Sequence, residues 1–180
     1  MAKDRISVAV VGLGFGAEFV PIYLEHPNVE SVIICDSDND RLNKVSERFN
    51  IKEKYTNFSE IINSDEIDAV HLVSGIPDHA EQTLDVLNSG KHCACAVPMA
   101  TSIDDIWSIV DLQKKTGLNY MMMETAVYTR QFLFSKDLKD KGEFGEIQFL
   151  RGAHYQDMEG WPTYWAGLPP MWYATHAISP

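Results

Sequence analysis

Ile6-Ser7-Val8-Ala9-Val10-Val11-Gly12-Leu13-Gly14-Phe15-Gly16-Ala17 is a largely apolar run that ends in glycines. It predicts a buried parallel strand, a tight turn, and a helix starting near Phe15. The spacing Gly12-x-Gly14-x-x-Ala17 fits a dinucleotide fingerprint with alanine in the permitted third place. Gly12 allows the sharp turn, and Gly14 lets the backbone approach a pyrophosphate with no Cβ in the way. Ala17 is small enough for helix and strand to pack closely. The helix N-terminus offers N–H groups and partial positive charge to phosphates. The turn residues Gly12, Leu13, Gly14, Phe15 and Gly16 are therefore candidate cofactor contacts. A glycine-rich turn that binds nothing is the competing explanation.

A second apolar run, Val29 to Cys35, ends at Asp36, which is 24 residues after Gly12. An acid at that distance, at the tip of the second strand, accepts hydrogen bonds from an adenosine ribose and repels a 2′-phosphate. It favours NAD; Ser37 and Arg41 are close enough in sequence to leave NADP open. Asp36 could instead be a helix N-terminal acid, as Asp38 and Asp40 are expected to be.

The chain has 180 residues, 45% of them hydrophobic and 23% charged, which suits one domain or one plus part of another. A net charge of −11 argues against nucleic-acid partners and anionic membranes. No apolar run approaches a membrane span. Met1-Ala2-Lys3-Asp4-Arg5 leads into the first strand without signal-peptide architecture, so a cytoplasmic protein is expected. Cys35, Cys93 and Cys95 fall in or beside predicted strands and read as core thiols of a reducing compartment. Cys93-x-Cys95 lacks a second ligand pair, so no metal site is expected.

Leu42, Val45 and Phe49 mark a helix capped by Asp38, Tyr55 marks a short third strand, and Asn57 starts a small helix. Asp68 to Gly75 is the fourth strand and its exit. Asp78 and Glu81 have capping-box spacing before a helix with Ala80, Thr83, Leu84 and Leu87 inward and Gly90 as its stop. Lys91 to Ala96 is a fifth strand. Ser102 and Asp105 cap a helix expected to turn Ile103, Ile106, Trp107 and Val110 inward, with Gly117 ending it. Asn119 to Met123 is a sixth strand. This alternation predicts an α/β fold with a doubly wound parallel sheet, whose ligands bind beyond the strands' carboxyl ends. Gly12–Gly16, Asp36–Ser37, Ser74–His79, Ala96–Met99 and Glu124–Tyr128 all fall on that rim.

From residue 125 the character changes. Tyr128 to Lys141 reads as helix, Gly142 to Gly145 as a turn, and Ile147 to Tyr155 as a strand. A cluster of Trp, Tyr and Pro runs from Trp161 to Tyr173. A lone strand leaves backbone groups unpaired, so the expectation is a truncated second domain. The division is residues 1–124 for nucleotide binding and 125–180 for the start of an α+β substrate and oligomerisation domain.

Gly90-Lys91-His92-Cys93-Ala94-Cys95-Ala96-Val97-Pro98, together with the glycine turn, Asp36, Glu66-Ile67-Asp68-Ala69-Val70, the Pro77…His79-Ala80-Glu81 helix start and Gly142-Glu143-Phe144-Gly145-Glu146-Ile147, resembles the glucose–fructose oxidoreductase, inositol dehydrogenase and MocA family (Gfo/Idh/MocA). The resemblance implies a Rossmann domain followed by an open sheet, and NAD(P)-dependent hydride transfer on sugars, cyclitols and related hydroxy compounds. It also implies homo-oligomers of the full-length protein. On that basis Ser74, Gly75, Ile76, Pro77, His79, Ala96 and Pro98 join the turn, Asp36, Ser37 and Arg41 as candidate cofactor contacts.

The departures concern the chemistry. Where the family's fifth strand ends Glu-Lys-Pro, this chain has Ala96-Val97-Pro98, and valine can neither donate a hydrogen bond nor carry charge. Of the family's Asp-x-Gly-x-His element only His176 remains, with Trp172 and Ala174 at the other two places. The loop before His79 is two residues shorter than the usual Thr-Pro-Asn form, with Ile76 where threonine is common. If hydride transfer persists, His176 is the foremost acid/base candidate, because imidazole titrates near working pH. Glu124, Tyr128 and His154 follow it. The alternative is a nucleotide-binding member that has lost dehydrogenase activity and acts as a binding or regulatory subunit.

Overall fold

The computed structural model describes residues 5–153. These fall into two compact units, residues 5–123 and residues 124–153. The first unit is built on six parallel strands: β1 Ile6–Val11, β2 Val29–Cys35, β3 Lys54–Tyr55, β4 Ala69–Leu72, β5 His92–Ala96 and β6 Tyr120–Met123. Their order is β3-β2-β1-β4-β5-β6 and every pairing is parallel, a Rossmann-type sheet. Strand order reverses between β1 and β4, and the helices that follow these two strands cover opposite faces of the sheet. That switch point opens the crevice in which open α/β sheets bind ligands.

Both faces of the sheet are covered, and alternate residues feed two cores. Ala9, Val11, Ile33, Cys35, Val70, Leu72, Cys93 and Cys95 pack against α4 (Phe58–Asn63), α5 (His79–Asn88) and α6 (Ile103–Thr116) through Ile61, Val86, Leu87 and Ile109. Val8, Val10, Val32 and Ile34 pack against α1 (Leu13–Gly16), α2 (Val20–Glu25) and α3 (Asn39–Phe49) through Leu13, Val20, Leu42 and Val45. Burial on both faces is why the strands read as continuous apolar runs.

The local signals act as expected at most ends. Asp38 accepts from the Asp40 and Arg41 amides, Asn57 from Ser59, and Ser102 from Asp105. Gly90 and Gly117 take the left-handed conformations that end α5 and α6.

Four details differ from the sequence reading. The first helix begins at Leu13, not Phe15, and breaks after one turn. Pro21 has no N–H to return to Ala17, and Glu18 and Phe19 bond three residues back, to Phe15 and Gly16. Asp78 makes no side-chain cap, because Ile76–Asp78 is itself a 3₁₀ turn leading into α5. In α6 the residues facing the sheet are Ile106, Ile109 and Leu112, while Ile103 and Trp107 are 69% and 58% exposed. The helix carries two apolar stripes, and periodicity alone does not say which is inner. Finally, residues 147–153 form no strand, since no neighbouring strand pairs with them among the described residues.

The second unit holds a 3₁₀ turn, Thr125–Tyr128, and α7, Arg130–Asp140, capped by the Thr129 hydroxyl, which accepts from the Phe132 amide.

Candidate cofactor site

The site grows from the exit of β1. Gly12 adopts φ 86°, and its N–H donates to the Cys35 carbonyl at 2.9 Å, tying the turn to the end of β2. A Cβ on Gly12 would stand 2.5 Å from the Val73 carbonyl oxygen and 2.6 Å from the Ser74 nitrogen. The β1 and β4 exits therefore touch backbone to backbone. A Cβ on Gly16 would come within 3.1 Å of a Val10 methyl, so Gly16 as well as the buried Ala17 brings helix and strand together. At Gly14 there is nothing within 4 Å. Its open side, next to first-turn N–H groups that have no intrahelical acceptor, is the cradle a diphosphate needs and a side chain would fill. The residues present fit a dinucleotide.

Asp36 stands at the end of β2, 5% exposed. Its Oδ2 accepts from the Leu13 amide at 2.7 Å and its Oδ1 from the Asp38 amide at 2.8 Å. Arg41 Nη1 donates to both oxygens, at 3.1 and 3.2 Å, and Arg41 Nη2 lies 3.4 Å from an Asp38 oxygen. Backbone N–H bonds from Arg41 and Asp40, with the Arg41 charge, hold the Asp38 carboxyl below its ordinary value. Ser37 is exposed beside them.

On the β4 side, Ser74 and Gly75 are half-buried, Ile76 is buried and Pro77 is exposed. His79 is 1% exposed and faces inward. Its Nδ1 is 2.7 Å from the Pro98 carbonyl and its Nε2 is 3.2 Å from the Ser74 carbonyl. Neither carbonyl can donate and a neutral imidazole has one N–H, so the shorter contact is assigned as Nδ1–H donating to Pro98. From the start of α5, His79 thus reaches across to the β5 exit at Pro98. Ala96 and Pro98 are half-buried and Val97 is 40% exposed at the rim.

Sequence reasoning missed Gln82, whose side-chain oxygen accepts from the Ser74 hydroxyl. Its place one turn into α5 was the available signal. It also missed the pairing of Tyr23 with His71. The Tyr23 hydroxyl meets His71 Nδ1 at 3.1 Å, and the ring of Phe19 packs edge-on against the imidazole at 4.8 Å. His71 Nε2 has no partner among the described residues, and burial pushes this imidazole down to about 4. Burial pushes the thiols of Cys35, Cys93 and Cys95 up to about 12, which leaves them protonated and poorly nucleophilic.

Of the acid/base candidates, Glu124 and Tyr128 belong to the second unit. The Glu124 carboxylate accepts from the Ala126 amide at 2.8 Å, and Tyr128 is 68% exposed. His176, His154 and the aromatic cluster from Trp161 to Tyr173 lie outside the described residues. Among the described residues no helix is long and apolar enough to cross a membrane, and no three His, Cys, Asp or Glu side chains are grouped to hold a metal ion.

Residues 6–124 match the family model described as "Oxidoreductase family, NAD-binding Rossmann fold". The chain is 28% identical over 196 aligned positions to a glycosyl hydrolase family 109 protein of Bacteroides fragilis, covering 98% of this chain and 42% of that protein. It is also 28% identical to an alpha-N-acetylgalactosaminidase of Shewanella oneidensis, over 98% of this chain and 43% of that one. It spans a little over two fifths of the length of these relatives. Among solved structures, scyllo-inositol dehydrogenase from Lactobacillus casei with bound NAD(H) and scyllo-inositol superposes with a TM-score of 0.73 at 22% identity, over 79% of this chain and 43% of that one.

Proposed function

The chain belongs to the Gfo/Idh/MocA oxidoreductase family, whose NAD-binding Rossmann fold it carries over residues 6–124, and from that premise we propose that it binds NAD or NADP and serves hydride transfer between the nicotinamide and a carbinol carbon of a sugar, cyclitol or related compound. The observation that carries this reading is the open, Cβ-free face of Gly14 above a turn held rigid on both sides by Val73 and Asp36. When bound, the dinucleotide supplies a carbon centre that accepts or releases hydride. The chain's own residues do the rest. The turn amides receive the diphosphate, and the residues around Asp36 and Arg41 receive the adenosine ribose. The clasped loops of Ser74–His79 and Ala96–Pro98 shape the rim on which the nicotinamide end lies.

A proton must leave the substrate hydroxyl as hydride leaves its carbon. Val97 stands where the family has lysine and can move no proton. His176 is the proposed shuttle, with Glu124 and Tyr128 as alternatives, and residues 125–180 are proposed to begin the substrate and oligomerisation domain. The test is turnover of the full-length protein on a panel of polyols and sugars, followed as NADH absorbance. His176→Ala should slow the chemical step by about 10²-fold or more, and unaltered turnover would remove it from the mechanism.

The relatives named glycosyl hydrolase family 109 support a second reading. In it, the nucleotide is retained and the net reaction is redox-neutral cleavage of a glycoside. Release of free sugar from an aryl glycoside without accumulation of NADH would favour it. Binding of dinucleotide with neither reaction would favour a binding or regulatory subunit.

A further inference from the structure

The two halves of one sheet face are covered unequally. Strand pairing sets Ile34, Val10, His71, Ala94 and Met121 side by side on that face, from β2 across to β6. Ile34 and Val10 are fully buried under α1, α2 and α3, and His71 is buried under the rings of Phe19 and Tyr23. Past His71 the cover ends. Ala94 and Ala96 are only half-buried, and Met121 is 47% exposed. On the opposite face the same two strands are closed over, with Cys93, Cys95 and Tyr120 in one core with α5 and α6. Parallel strands are ordinarily buried on both faces. At the edge of the cover, His71 also keeps a ring nitrogen, Nε2, with no partner among the described residues. Whatever completes the cover must therefore bring apolar surface and a hydrogen-bonding group together.

We propose that the segment from Trp161 to Tyr173 of this same chain covers the β5–β6 half of that face. The segment lies outside the described residues. Its thirteen residues hold three Trp and two Tyr and not one charged side chain, in a chain that is 23% charged. Such a stretch needs burial as much as the sheet face needs a cover. Trp and Tyr join a large apolar body to an N–H or O–H tip, which meets both requirements at once. From β4 to β6 is two strand spacings, about 10 Å, a width that one stretch of chain spans. A second copy is a poorer occupant, because each copy carries a net charge of −11 and the two repel. The covering would hold His176, three residues beyond Tyr173, on the half of the sheet that ends at Val97. The inference makes no use of the nucleotide, so its failure leaves the dinucleotide reading standing.

Met121 and Met122 supply the test. They are neighbours of similar exposure, 47% and 42%, and successive strand residues point to opposite faces. Met121→Cys and Met122→Cys would each be made in the 180-residue chain, and the rate of modification by an aromatic disulfide measured, with thermal melts as the folding control. The thiols of Cys35, Cys93 and Cys95 are buried and pushed up to about 12, so the introduced thiol reacts first. Met121→Cys is expected to react about tenfold or more slowly than Met122→Cys, because its reaction must wait for local opening. That protection should not depend on protein concentration. Adding Trp165→Asp and Trp172→Asp, which puts charge into the covering segment, should abolish it. Equal rates for the two thiols would overturn the proposal. Protection that grows with protein concentration would assign the face to a second copy, and protection that survives Trp165→Asp with Trp172→Asp would assign it to another part of the chain; either result overturns it as well.

Discussion

The Val73 carbonyl oxygen stands 2.5 Å from the point a Cβ on Gly12 would occupy, a distance no carbon–oxygen contact tolerates. The two exits of the switch point are therefore packed against each other, and the open side of the turn is at Gly14.

These two glycines are expected to separate folding from binding. Gly12→Ala places a side chain at φ 86°, which costs about 1–3 kcal/mol in backbone strain before the clash with Val73 is counted. It should lower the melting temperature. Gly14→Ala meets nothing within 4 Å and should leave stability within about 0.5 kcal/mol, while weakening dinucleotide binding by about tenfold or more. Melting curves and titrations of both variants check this; equal stability loss in the two would contradict it.

The His71 imidazole is held down to about 4 by burial, from an ordinary 6.5. Below pH 6.5 the unfolded chain takes up a proton that the folded chain refuses. The stabilising contribution is thus full above the unfolded value and is lost as pH falls toward about 4. Between neutral pH and about pH 5 this amounts to about 2 kcal/mol. Urea unfolding at the two pH values, for the unaltered chain and His71→Leu, should show the variant losing less stability on acidification.

His79 ties the start of α5 to Pro98 across the rim. His79→Ala removes a buried ring and its bond, at a cost of about 2–3 kcal/mol. Hydrogen exchange should rise in residues 74–78 and 96–99 beyond the general increase, and NADH affinity should fall. Unchanged local exchange there would mean the clasp holds nothing.

The two stripes of α6 differ in burial, with Ile109 at 0% and Ile103 at 69% exposed. Ile109→Ala should cost about 2–4 kcal/mol, and Ile103→Ala within about 0.5 kcal/mol. Denaturant titrations distinguish them.

The sheet was legible because strands buried on both faces leave apolar runs such as Val8–Val11 and Val29–Cys35, each ending at a glycine or an acid. Caps at Asp38 and Ser102 and stops at Gly90 and Gly117 were legible for the same local reason. What spacing does not carry is direction. Asp36 sits at the strand end the spacing predicts, yet its carboxylate points to the Leu13 amide, a rotamer choice made by the neighbouring turn. His79 likewise falls on the rim in sequence but turns its ring into the protein. In α6 Ile106 packs on the sheet as its spacing suggests, but Ile103 and Trp107 repeat as regularly as Ile106 and Ile109 do, and only the packing makes them the outer stripe.

The central claim, that a dinucleotide lies with its diphosphate on the turn at Gly14, is tested most directly by titrating the chain and its Gly14→Ala variant with NADH, reading energy transfer from the protein's tryptophans. Saturable binding to the unaltered chain, weakened about tenfold or more in the variant, is the predicted result. No saturation at millimolar NADH, or equal affinity in the two proteins, would contradict it.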